Sequence, residues 1–404
     1  MKNLFTLSLH SAYRILILFV FSTALFSCSK SGSGGGGGST ARQSYVVDLS
    51  GSYISSTGKE AQVIRLQKDG KILVLGYGWF VRLEADGVTQ DNTFSAPAEL
   101  LTASSNFKVN SFLVQDDGKI LVFGTFVLSN SRKAIVRLNA DGSLDNSFNN
   151  PVLDINYYRQ SIGINEIQLL ANGKMIIAGA FSYKVGNTFG NAIARLNADQ
   201  TIDPDFISPI SGDDPFGVTH MQSFQDGTLL LLGYGAIKLS IGGAYNVVKI
   251  GADGVYDKTY VMDGSYGPAS APGYTTAVAL QGSKVLIGVG FVPTGGNVIR
   301  LNENGTVDKT FSAPAIGYEV VNSIAVQPDK SLLIGRQKSF SFPETPDYLN
   351  YIDQNGVTDT AFHMTGYIPG GVNSMLNLNE TTLLLAGSFS HDNKTYAILK
   401  LKKN

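Results

Sequence analysis

Short apolar runs separated by tight polar turns recur from Gln62 to the C-terminus, and one stretch, Asn110 to Phe148, shows the pattern whole. Phe112 to Gln115 is an apolar-alternating run closed by Asp117-Gly118, and Ile120 to Phe123 is a β-rich run ending in Gly124. After a polar connection, Ala134 to Leu138 makes a third run, followed by Asn139-Ala140-Asp141-Gly142 and a short segment to Phe148. Asp and Gly accept the positive φ that tight turns between antiparallel strands demand. The stretch therefore predicts a small antiparallel sheet of three or four strands. Alone it cannot bury both faces, so it must stack on copies of itself.

The copies are present. The Asp-Gly-Lys-Ile-Leu-Val signal recurs at Asp69 to Gly76, Asp117 to Gly124, Asn172 to Gly179 and Asp226 to Gly233. It weakens at Gly282 to Gly288, Asp329 to Gly335 and Glu380 to Gly387. A partner signal, Arg-Leu-Asn-x-Asp-Gly then Asp-x-x-Phe, places Arg82, Arg137, Arg195 and Arg300 in register, with Lys249, Tyr351 and Lys400 as variants. Its terminal aromatics are Phe94, Phe148, Phe206, Tyr260, Phe311 and Phe362. Seven such units at a period of roughly 47–58 residues fit four-stranded propeller blades.

GKILVFG followed by VRLNADGSLDNSF resembles the delta-60 repeat, a family found mainly in bacterial secreted and surface proteins, and the resemblance extends over Gln62 to Leu401. It implies an all-β fold, a seven-bladed β-propeller of four-stranded antiparallel blades, and it brings no known activity and no cofactor. The last unit stops at Leu401-Lys402-Lys403-Asn404, where its Asp-x-x-Phe strand should follow, while Tyr45 to Leu49 is one strand in excess at the start. That N-terminal strand is expected to complete the last blade and remove two aggregation-prone edges.

Residues 1–27 carry the features of a secretory leader: basic Lys2 and Arg14, an apolar core from Ile15 to Phe26, then Ser27 before Cys28. The core is too short to span a bilayer as a stable helix. Leu25-Phe26-Ser27-Cys28 looks like a lipobox, which implies lipidation of Cys28; this is the single cysteine and has no disulfide partner. Residues 28–41, rich in Gly and Ser, read as a flexible tether, and residues 42–404 as the propeller. Ser29 after the cysteine favours outer-membrane sorting in the cell envelope. The formal net charge of −1 falls to about −3 without Lys2 and Arg14, and no basic stripe appears. Nucleic acid is therefore not expected as a partner. The domain is expected to be monomeric.

Connections after the first and third strands of each unit are tight, and those after the second and fourth are long and variable. One face of the disc is thus clipped and the other carries loops, where function concentrates on a rigid scaffold. Aromatic residues there can stack on sugar rings or anchor a protein. Tyr157, Tyr158, Tyr183, Phe189, Phe216, Tyr266, Tyr274, Phe340 and Tyr367 are the candidate binding residues, for an extracellular or periplasmic glycan or protein.

Other chemistry is thin. Asn139, Asp141 and Asp145 have oxygen-ligand spacing, but a turn explains the same residues, and no metal is assigned. Arg137 and its equivalents are expected to pair with carboxylates at blade junctions. His220, His363 and His391 are scattered without metal-ligand spacing. No catalytic residue is assigned. The loop acids Asp213, Asp214, Glu344 and Asp347 leave a carbohydrate- or peptidoglycan-active enzyme as an alternative. A passive scaffold is the third reading.

Overall fold

The computed structural model describes residues 44–102, 108–151, 153, 163–211, 217–260, 275–290, 297–312, 320–337, 348–359, 362, 364–366 and 368–404. Apart from one short 3-10 turn at Ala98–Leu101, the regular structure there is all strand. β1 (Tyr45–Ile54) opens the chain. Six antiparallel sheets follow in sequence order. They are β2 (Ala61–Leu66), β3 (Ile72–Gly76) and β4 (Trp79–Leu83); then β5 (Lys108–Val114), β6 (Ile120–Leu128) and β7 (Ser131–Leu138). The third and fourth are β8 (Gly163–Leu169), β9 (Met175–Val185) and β10 (Thr188–Leu196), and β11 (Val218–Ser223), β12 (Leu229–Lys238) and β13 (Ala244–Ile250). The fifth and sixth are β14 (Thr275–Gln281), β15 (Lys284–Val289) and β16 (Val298–Leu301), and β17 (Val321–Val326), β18 (Leu332–Arg336) and β19 (Leu349–Ile352). The seventh joins β20 (Met364–Thr365), β1, β23 (Lys394–Lys403), β22 (Thr382–His391) and β21 (Gly370–Asn379), in that order.

The first strand of each sheet touches the first strand of the next, from β2 through β5, β8, β11, β14 and β17 to β21, and β21 returns to β2. The sheets thus stack face to face in a closed ring. Their middle strands are the most apolar, because both faces are covered: Ile72, Leu73, Val74 and Leu75 are all buried, as are Leu229 to Leu232. Core clusters form between neighbouring sheets, one example joining Phe80 and Phe94 to Phe112 and Phe126.

Two expectations meet the structure differently. The N-terminal strand does pair with the last one: Tyr45, Val46, Val47 and Asp48 lie opposite Lys403, Lys402, Leu401 and Lys400. A bulge between Asp48 and Tyr53 then carries β1 on to Ile54 opposite Tyr396. The four-stranded sheets are corrected to three strands in six of the seven cases. The segment after each second Asp-Gly turn makes only a single bridge, as Leu83 with Gln90 and Leu196 with Ile202. It cannot run on as a strand because the Asp-x-x-Phe that follows is itself a turn: the Asp203 amide donates to Arg195 O, and the Phe206 amide to Asp203 O.

Candidate functional site

On the clipped face, each acidic turn residue is engaged by its own backbone. Asp141 Oδ1 accepts from the Ser143 amide at 2.9 Å, Asp199 Oδ1 from Thr201 at 3.0 Å and Asp253 Oδ1 from Val255 at 3.0 Å. These are Asx turns, and they account for the oxygen-rich spacing without a cation. Among the described residues no cluster of His, Cys, Asp or Glu suited to a metal is present.

In four units the second acid is buried and paired. Asp203 Oδ2 accepts from Arg195 Nε at 2.6 Å and Lys174 Nζ at 2.7 Å, and Arg195 Nη1 crosses to the Ala252 carbonyl of the next sheet at 2.8 Å. The guanidinium lies 5.3 Å from the centre of the Phe206 ring. The same set recurs at Arg82 with Asp91 and Lys71, Arg137 with Asp145 and Lys119, and Arg300 with Asp308 and Lys284. The repeat's Arg, Asp and Phe are therefore parts of a staple between sheets. A cleft of about 770 Å³ opens on this face beside both ends of the domain, but its acids are turn residues: Asp329 is held by Ser331 and Tyr351.

On the opposite face the hairpins project. β6 and β7 turn on Ser129 and Asn130, and β22 and β23 on Asp392 and Asn393, all at positive φ as a two-residue hairpin requires. Phe189, at the tip of the β9–β10 hairpin, is 70% exposed with Lys184 Nζ 5.2 Å above its ring. Ile241 is 64% exposed on the neighbouring β12–β13 connection. Tyr183 needs correction as a loop residue. It sits within β9, 3% exposed, its ring filling the space above Gly190, and burial pushes its hydroxyl up to about 12. Tyr157, Tyr158, Phe216, Tyr266, Tyr274, Phe340 and Tyr367 lie outside the described residues, as do Cys28, Asp213, Asp214, Glu344 and Asp347.

The axis of the ring holds a further site. Each innermost strand bulges near its start, at its second to fourth residue, so that Gln62, Asn110, Asn165, Thr219, Thr276, Asn322 and Asn373 have no partner in the ladder. The freed side chains reach sideways instead. Asn110 Nδ2 donates to Ile164 O at 2.9 Å, Asn165 Nδ2 to Val218 O at 2.8 Å and Asn373 Nδ2 to Ala61 O at 2.9 Å, each on the following sheet. Below this collar all seven inner strands line a cavity of about 560 Å³. Its titratable groups are Arg65, Glu166 and His220, from the first, third and fourth sheets. Burial pushes Glu166 up to about 7, with Arg65 pulling the other way, and pushes His220 down to about 4 against a bond to the Thr276 backbone. Water reaches all three side chains from the cavity, which tempers both shifts. Pattern reading missed this trio because the three residues share no motif; the column of Asn at the bulge was the available signal.

Residues 67–94, 115–148, 170–206 and 284–311 match a family described as a domain of unknown function (DUF5122) beta-propeller. These four segments match that family's repeats, and the ring of small antiparallel sheets agrees with the propeller in its description. No curated protein matches. Among solved structures, a catalytically inactive virginiamycin B lyase from Staphylococcus aureus with quinupristin is 12% identical, with a TM-score of 0.53 over 89% of this chain and 99% of that one. YCF48 bound to D1 peptide is 10% identical, with a TM-score of 0.51 over 90% and 96%. The extracellular domain of a putative hybrid two-component system from B. thetaiotaomicron is 11% identical with a TM-score of 0.48, and this chain spans 40% of its length. At these identities the likeness is one of fold. No helix among the described residues is long and apolar enough to cross a membrane.

Proposed function

We propose that this is a non-catalytic, seven-bladed propeller, anchored in the cell envelope through a lipid on Cys28, that binds a glycan or protein through its loop face. Each of the seven sheets counts as one blade, with β1 as the fourth strand of the last, next to the short edge strand β20. One observation carries the binding assignment: Phe189 presents its ring to solvent from a rigid hairpin, with the Lys184 cation above it. Burying so exposed an aromatic is favourable for a partner and costs the fold nothing. Among the described residues the clipped face has no aromatic ring so exposed; its exposed apolar side chains are the aliphatic Ile207, Val255 and Val357, and its acids are held in turns and staples. β1 starts at the clipped face, Tyr45 opposite Lys403.

The test is a pull-down and a glycan array with residues 42–404, comparing the natural protein with Phe189→Ala. Loss of at least tenfold in affinity with an unchanged melting temperature is the expected result. A partner captured equally by both proteins would refute the face assignment. Anchoring is tested separately: Cys28→Ala should move the protein from the membrane to the soluble fraction.

A further inference from the structure

Two charged groups that meet across the central cavity are left unsatisfied by the protein. Among the described residues the Glu166 carboxylate accepts no hydrogen bond, and the Arg65 guanidinium reaches only its neighbour's carbonyl, Ile64 O, at 3.5 Å. Elsewhere this protein neutralises its arginines closely, as at Arg195 and Asp203, 2.6 Å apart. Arg65 and Glu166 form no such contact, yet each alters the other's proton affinity across the gap. Arg65 is exposed to the cavity and Glu166 is part-buried; a part-buried charge without a partner is costly and calls for a ligand or a water to complete it. The third titratable group, His220, is accounted for: Nδ1 lies 3.2 Å from Thr219 Oγ1 and the ring also bonds the Thr276 backbone. It forms a neutral wall.

We propose that the central cavity binds a small zwitterion, a free α-amino acid or a short peptide, with its carboxylate on Arg65 and its ammonium on Glu166. A molecule carrying both charges completes both groups at once, whereas a neutral sugar leaves two unmatched charges and a simple ion leaves one. The cavity of about 560 Å³ has the size of a small-molecule site and exceeds the needs of one amino acid. The Asn collar is closed upon itself by bonds between sheets, so it shapes the mouth without competing for the ligand's charges. The site is distinct from the loop-face reading and does not depend on it.

The experiment is saturation-transfer NMR on residues 42–404 with the twenty amino acids and glycylglycine, followed by calorimetry on the best binder. N-acetylation or methyl esterification of that ligand should each weaken binding at least about tenfold, since each removes one charge-assisted contact. Glu166→Gln should do the same and abolish the pH dependence. Binding to the natural protein should strengthen between pH 5 and 8, as Glu166 loses its proton. Phe189→Ala should bind unchanged, which separates this site from the loop face. Absence of signal from all twenty-one probes at 10 mM, or binding of the acetylated or esterified form as tight as that of the free ligand, overturns the proposal. Melting curves for Glu166→Gln and Arg65→Met guard against loss of fold.

Discussion

Arg195 holds Asp203 at 2.6 Å within its own sheet while the far end of the same guanidinium grips the next sheet at Ala252 O. One planar group therefore sets the internal turn and the angle between neighbours together. Fixed donors make this possible, and a point charge on a flexible stem does not supply them.

Arg195→Lys keeps the charge and loses the fork, so it should destabilise the protein by about 0.5–1.5 kcal/mol, the net worth of the cross-sheet hydrogen bond to the exposed Ala252 carbonyl. Urea unfolding followed by tryptophan fluorescence measures it. A midpoint within error of the natural protein would show that the cross-sheet bond contributes nothing.

Gly254 sits at φ +89°, where a Cβ would come within 2.5 Å of Ile207 O on the preceding sheet and close to the Phe206 ring. Gly186, at φ +57°, has open space around it. Alanine at 254 should cost several kcal/mol through strain and displacement combined, and alanine at 186 about 1 kcal/mol or less. The comparison of the two melting temperatures isolates packing from backbone preference.

How much of this was visible beforehand divides by distance along the chain. Asp-Gly turns and the Arg-to-Asp staple act within about ten residues, so Arg137 and Asp145 could be paired from spacing alone. The fourth strand failed because Asp-x-x-Phe looks apolar at its end, yet Asp203 bonds its own downstream backbone and curls the segment away. Tyr183 failed because the hairpin after β9 is longer than the repeat implies, drawing a presumed loop residue into a strand. Arg65, Glu166 and His220 meet only when three repeats close around the axis, and no local pattern announces that.

The staples carry a pH signature. Asp203 is held down to about 2: burial raises it, but Lys174 and Arg195 outweigh that. Lys71 lowers Asp91, and Lys119 lowers Asp145, well below the ordinary range. A depressed carboxyl adds stability that is complete above its unfolded value near 3.9 and lost as pH falls through the folded one. The melting temperature should thus hold between about pH 5 and 7 and drop steeply below about pH 4. Asp203→Asn should melt lower than the natural protein at pH 7, and the gap should narrow toward pH 2; a constant gap would contradict the mechanism.

A chain starting at Ser56 lacks β1 and exposes β23 as an edge. It forfeits several ladder bonds of about 0.5–1.5 kcal/mol each and the burial of Tyr45 and Tyr53, about 1.5–3 kcal/mol apiece. Against a stability of about 5–15 kcal/mol this is severe. The expected outcome is aggregation on size-exclusion chromatography, where a chain starting at Thr40 elutes as a monomer. Equal melting temperatures would show that the closing strand is dispensable.

The bond between the Asn404 amide and Ser44 O, 3.0 Å long, joins residues at the two limits of the folded domain. One of them is made some 360 residues before the other, so β1 waits unpaired while every intervening sheet is synthesised. Over that interval the nascent polypeptide has two open sheet edges, each able to pair with a strand that is not its own. The last sheet is therefore the step at which a chain of this design is most open to pairing with a second copy of itself.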